Sequence, residues 1–152
     1  MARLVFLGGT AGNNAWREGF IERLINRGVG KECLFNPVVT DWNDEARIKE
    51  EAAKRDATHH LYYIASPKQD GNPLSAYSMV EATVALAKHP KNTVVVFDHE
   101  GMDGHAAKAM KQAEKVLRTE FPKGNIFGAP KEAEDWLTRE LTKGVLGRLF
   151  AA

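Results

Sequence analysis

Five short apolar runs, rich in β-branched and aromatic residues, alternate with five helical patterns along this chain. That alternation constrains the fold more than any other feature. "RLVFLGG" (3–9), "CLFNPVV" (33–39), "HLYYIAS" (60–66), "NTVVVFD" (92–98) and "GNIFG" (124–128) read as strands. Residues 14–28, 43–57, 75–86, 103–121 and 130–150 carry helical signals between and after them. Strands joined in this way pair in parallel, and a parallel sheet needs cover on both faces. The sequence therefore predicts one α/β domain over 1–152: a doubly wound, five-stranded parallel sheet flanked by helices, flavodoxin- or Rossmann-like.

Composition narrows the function classes. A chain of 152 residues, 43% hydrophobic, buries roughly 70% of its unfolded surface and needs no staples. Its single cysteine, Cys33, excludes an internal disulfide, and the neighbours Leu34 and Phe35 point to a plain buried thiol. Lys and Arg number 21 against 20 Asp and Glu, so no charge excess favours nucleic acid or an acidic membrane as partner. No apolar run approaches the roughly 18 residues of a membrane span. "MARLVFLGG" also lacks the pattern of a signal peptide, so a cytoplasmic protein is expected. The five histidines stand in no HExxH-type or Cys/His pattern, and neither metal nor cofactor is expected. Ser66, Ser75 and Ser78 lack the G-x-S-x-G elbow of a serine hydrolase.

In open parallel sheets ligands sit beyond the carboxyl ends of the strands. The first such loop, "GGTAGNNAWR" (8–17), offers Gly8, Gly9, Thr10 and Gly12 before a helix N-terminus, a place that favours an anion. Its spacing meets neither the dinucleotide fingerprint nor the P-loop, and a tight turn explains the glycines equally well. A phosphorelay receiver is set aside. No acidic cluster follows the first strand, and Ser66 and Pro67 stand where an aspartate should follow the third.

Glu81 is the chain's most unusual carboxylate. It interrupts "SAYSMVEATVAL" (75–86), shares its helical face with Tyr77, Ser78, Val84 and Ala85, and has no Lys or Arg three or four positions away. Two readings stay open. Ser78 could cap the helix with Glu81 completing a capping box. Alternatively, the helix starts near Ser75 or Leu74, which places Glu81 beside the strand-end crevice as a nucleophile toward an electrophilic carbon. The acidic run Asp44, Glu45, Glu50 and Glu51 reads by default as a solvated helix face.

The order "FLGGT", helix, "FNPVV", charged helix, "LYYIASP", "YSMVEATVAL", "TVVVFD" resembles the nucleoside 2-deoxyribosyltransferase family, in particular its deoxyribosyltransferase-like branch. The likeness covers residues 3 to about 98. It implies that Glu81 attacks the anomeric carbon of a (deoxy)nucleoside or nucleoside 5′-monophosphate, and that a second base or water resolves the glycosyl-enzyme. Tyr77 or Ser78 would hold the carboxylate, Asn36 would help build the pocket, and Ser75 and Ser78 would serve the sugar hydroxyls. The family's aspartate before strand three has Glu50 or Glu51 near its place, with Asp56 a little late; Glu51 enters the site on that ground. Arg17 would meet a 5′-phosphate, as in nucleotide-hydrolysing relatives, with a helix-face salt bridge as its plain alternative. The resemblance also implies a homo-oligomer; the last helix, with Trp136, Leu137, Leu141, Val145, Leu146 and Phe150, offers either a contact surface or core packing. A non-catalytic nucleotide-binding or sensor domain is the alternative, and a structural subunit with an empty crevice is a third.

Overall fold

A computed structural model describes residues 3–10, 15–65 and 76–143. Its elements run β1 (Val5–Gly9), α1 (Ala15–Asn26), β2 (Leu34–Phe35), α2 (Asp44–Asp56), β3 (His59–Ile64), α3 (Ala76–Lys88), β4 (Thr93–Phe97), α4 (Gly104–Glu120), β5 (Asn125–Phe127) and α5 (Pro130–Thr142). The five strands pair in parallel in the order β2-β1-β3-β4-β5. The expected doubly wound α/β fold is therefore present. Its strand order reverses between β1 and β3, where this architecture opens its ligand crevice.

Side-chain alternation sorts the sheet into two cores. Val5 and Leu7 of β1, Leu61 and Tyr63 of β3, and Val94 and Val96 of β4 join Phe20 and Leu24 of α1 and Ala133, Leu137 and Leu141 of α5. Phe6, Tyr62, Ile64, Val95 and Phe97 face the other way, onto Ala53 of α2, Ala82, Ala85 and Leu86 of α3, and Met110 and Leu117 of α4. Full burial of each large side chain stabilises the fold by roughly 1.5–3 kcal/mol. Leu137 and Leu141 thus take the core-packing option, with Trp136 half-buried against the same core; Val145, Leu146 and Phe150 lie outside the described residues.

Two sequence expectations change. The second strand is two residues long instead of seven, because Pro37 lacks an N–H for the ladder and the Asn36 carboxamide accepts from the Val38 amide at 3.1 Å, turning the chain. Cys33 is half-buried rather than buried, lying in a short 3-10 turn at the start of that strand.

Helix α2 has little apolar surface; Ala53 is its one buried residue. Local devices support it. Asn43 caps it, accepting from Ala46 N at 2.9 Å, and acidic Asp44 and Glu45 open it while Lys54 and Arg55 close it. Ion pairs one turn apart, such as Glu45–Lys49 at 2.7 Å, line its surface. Among the described residues, no helix is long and apolar enough to cross a membrane.

Candidate active site

A cavity of about 470 Å³ opens at the carboxyl end of β1. It is lined by Phe6, Gly8 and Gly9 of β1, Arg17 of α1, Pro37, Val38, Val39 and Trp42 between β2 and α2, Glu50 of α2, and Tyr77, Ser78 and Glu81 of α3. Seven of the residues singled out in the sequence therefore meet here: Gly8, Gly9, Arg17, Glu50, Tyr77, Ser78 and Glu81.

The glycines owe their identity to packing. Gly9 has φ +122°, and a Cβ on it would stand 2.2 Å from the Tyr63 carbonyl oxygen of β3. At Gly8 a Cβ would meet the Tyr62 ring at 2.5 Å. Strand β3 thus demands both residues, and the resulting bare backbone lines the cavity. Thr10 is buried and outside the lining. Its hydroxyl accepts from Ala65 N at 3.2 Å, tying the end of β1 to β3.

Among the described residues Arg17 forms no helix-face salt bridge; its partners are backbone carbonyls. It is 1% exposed, and its guanidinium donates to the carbonyls of Leu7 (3.1 Å), Thr10 (2.9 Å) and Gly9 (3.0 Å) while lying over the Trp16 ring. Leu7 and Gly9 stand at the end of β1, and the carbonyl of Thr10, the next residue, also accepts from the Trp16 indole N–H at 2.9 Å. Burial lowers the Arg17 pKa to about 10 against the opposing attraction of Glu50 and Glu81, so it remains a cation at neutral pH.

Glu81 lies inside α3, which already runs from Ala76. Ser78 is therefore a helical residue, and the capping box it would have headed does not form. The carboxylate is 15% exposed and hydrogen-bonds through Oε1 to the Lys54 ammonium of α2. Lys54 also pairs with Glu50 Oε1 at 2.5 Å. Burial pulls the Lys54 pKa down, but the hydrogen bonds and charges of Glu50 and Glu81 outweigh it and the net shift is upward. The two oxygens that share this ammonium therefore stand no farther apart than two hydrogen-bond lengths.

Glu51 does not belong to this group. One residue along α2 turns its side chain by about 100°, and Glu51 pairs with Arg47 on the solvent side. Glu50 takes its place in the cavity. Asp56 is likewise outside, paired with Arg55 on the surface. Asn36 shapes the site indirectly, through the turn that presents Val38 and Val39. Ser75 and Asp70 lie outside the described residues.

Sequence reasoning missed Lys54, Trp42 and Phe6. The spacing Glu50–Lys54 was a visible signal, an i,i+4 pair on an otherwise polar helix, but nothing in the sequence linked it to Glu81, 27 positions away. Trp42, an aromatic in a polar loop, was the other available clue. A second cavity of about 460 Å³ lies between α2 and α3, lined by Lys54, His60, Tyr62, Val80 and Val84 among others, and Glu81 borders both cavities. Among the described residues, no three His, Cys, Asp or Glu side chains converge to hold a metal ion. In comparisons with known proteins, no family matches this sequence and no curated protein matches it.

Proposed function

We propose that this cleft cleaves or transfers at the N-glycosidic bond of a (deoxy)nucleoside or nucleoside 5′-monophosphate, with Glu81 as nucleophile. One observation carries the reading: a partly buried carboxylate from mid-helix borders a strand-end cavity of about 470 Å³, with a second carboxylate, Glu50, close beside it. The shared ammonium brings their accepting oxygens within two hydrogen-bond lengths of each other, closer than the roughly 6.5–9.5 Å an inverting water needs. The order of motifs that resembles the nucleoside 2-deoxyribosyltransferases supports the same assignment.

In this mechanism a Glu81 oxygen bonds to the anomeric carbon as the carbon–nitrogen bond breaks. The bonding pair leaves with the base nitrogen, which takes up a proton. Water or a second base then attacks the same carbon, releases the glutamate and loses its own proton. The transition state is oxocarbenium-like, and the two carboxylates stabilise its positive charge. The exposed rings of Trp42 and Tyr77, 60% and 67% accessible at the cavity rim, suit stacking on a planar base. A homo-oligomer belongs to this reading; Tyr77, Val80 and Val84 form an exposed apolar stripe along α3 beside the cleft, and sedimentation tests it.

The Glu81–Lys54 pair also favours a second reading, a nucleotide-binding domain in which that pair is structural. Base release from a panel of nucleosides and 5′-monophosphates, with and without an acceptor base, separates the two when wild type is compared with Glu81→Ala. Release lost in the variant supports the nucleophile, and acceptor dependence identifies a transferase. Ligand binding without release from either protein supports the binding domain.

A further inference from the structure

Lys54 extends from α2 with 23% of its side chain exposed. Its ammonium meets Glu50 Oε1 at 2.5 Å and hydrogen-bonds to Glu81 Oε1. It also lies 5.2 Å from the Phe6 ring centroid and 5.6 Å from that of Tyr77. Phe6 is in turn fixed by stacking on Phe35. Two carboxylates and two ring faces from three elements thus converge on one cation, a set that holds an ammonium in place. Lys54 lines the second cavity and not the cleft, so it grips Glu81 from behind.

We propose that Lys54 is the positioning residue of this site, holding Glu81 aimed at the cleft while keeping Glu50 beside it. Without the ammonium, two carboxylates facing one small cavity repel each other and rotate apart. With it, each is hydrogen-bonded in a fixed direction and Glu81 keeps its second oxygen for the anomeric carbon. Glu50 has a part in the cycle as well. When Glu81 becomes an ester its charge is gone, and Glu50 keeps the half-buried ammonium from being stranded. The catalytic half of this proposal rests on the reading of Glu81 as nucleophile; the clamp itself does not.

Because the second cavity opens onto the Lys54 slot, Lys54→Ala leaves room for a small alkylammonium. Propylammonium is expected to raise the Tm of Lys54→Ala saturably and to leave wild type unchanged, while neutral 1-propanol does neither. Equal effects of the amine and the alcohol would show that the slot only needs filling, and would overturn the clamp. In base release, Lys54→Gln is expected to lower kcat on the order of 10²-fold, the cost of a misaimed reacting group, with KM within about threefold. Lys54→Arg recovers part of kcat, and propylammonium recovers part of it in Lys54→Ala. An unchanged kcat in Lys54→Gln, active and folded, would overturn the positioning role. Should Lys54→Ala not fold, its refolding yield with propylammonium against 1-propanol carries the same test. Selective rescue in Tm together with no base release from wild type would leave the clamp standing and remove the glycosidic reading.

Discussion

Glu50 and Glu51 are consecutive in the chain and stand on different surfaces of α2. Glu50, 14% exposed, borders the cleft and pairs with Lys54, whereas Glu51, 62% exposed, pairs with Arg47. Glu51→Gln is therefore expected to keep base release within about twofold and stability within about 0.5 kcal/mol, the range of exposed ion pairs. Glu50→Gln is expected to lower kcat/KM at least tenfold. Steady-state kinetics on the pair checks both, and a reversed order would return the role to Glu51.

Gly9 is a structural requirement. A side chain there would be strained at φ +122° and would press on the Tyr63 backbone at 2.2 Å. Backbone cannot swing aside as a flexible side chain can. Gly9→Ala is expected to destabilise the protein by more than about 2 kcal/mol, read by urea unfolding; a loss below 0.5 kcal/mol, on the order of a surface substitution, would refute the close approach.

Arg17 supports the end of β1 through three backbone carbonyls. Arg17→Met would leave the carbonyls of Leu7, Gly9 and Thr10 without this donor, a loss of about 2–5 kcal/mol in unfolding free energy. The ratio of rates on a nucleoside and its 5′-monophosphate should stay the same in the folded variant. A selective loss on the monophosphate would show that Arg17 binds it after all.

His60 makes stability depend on pH. Its ring is buried at the start of β3, stacked on His89 with centroids 5.5 Å apart. Burial first, then the neighbouring His89 and His59, lower its pKa from 6.5 to about 4. Between these values the unfolded chain binds the extra proton. The contribution is thus fully present above about pH 6.5 and is lost as pH falls toward 4, roughly 1–3 kcal/mol. Urea midpoints measured across that window should fall in wild type and fall less in His60→Gln; parallel slopes would exclude His60 as the cause.

On the proposed reading, the rim aromatics serve binding more than folding. Trp42 and Tyr77 are largely exposed, so Trp42→Ala is expected to cost under about 1 kcal/mol of stability. It should raise KM about tenfold, the loss of roughly one stacked ring. An unchanged KM would move the base away from that rim.

By itself the sequence determined the alternation of strands and helices, and with it the parallel sheet. Apolar period along β1, β3 and β4 and the cap at Asn43 are local properties, fixed by side chains within a few residues of each other. It also singled out Glu81, because a carboxylate in an apolar helix is conspicuous without any knowledge of its surroundings. Only the tertiary structure decided what that carboxylate meets. Lys54 reaches it across two helices, Arg17 turns inward to the carbonyls of β1, and Glu50 rather than Glu51 faces the cleft. Those outcomes depend on helix rotation and on where β1 ends against β3. Rotation by a single residue moves a side chain about 100° around a helix, and only packing against the sheet sets that angle.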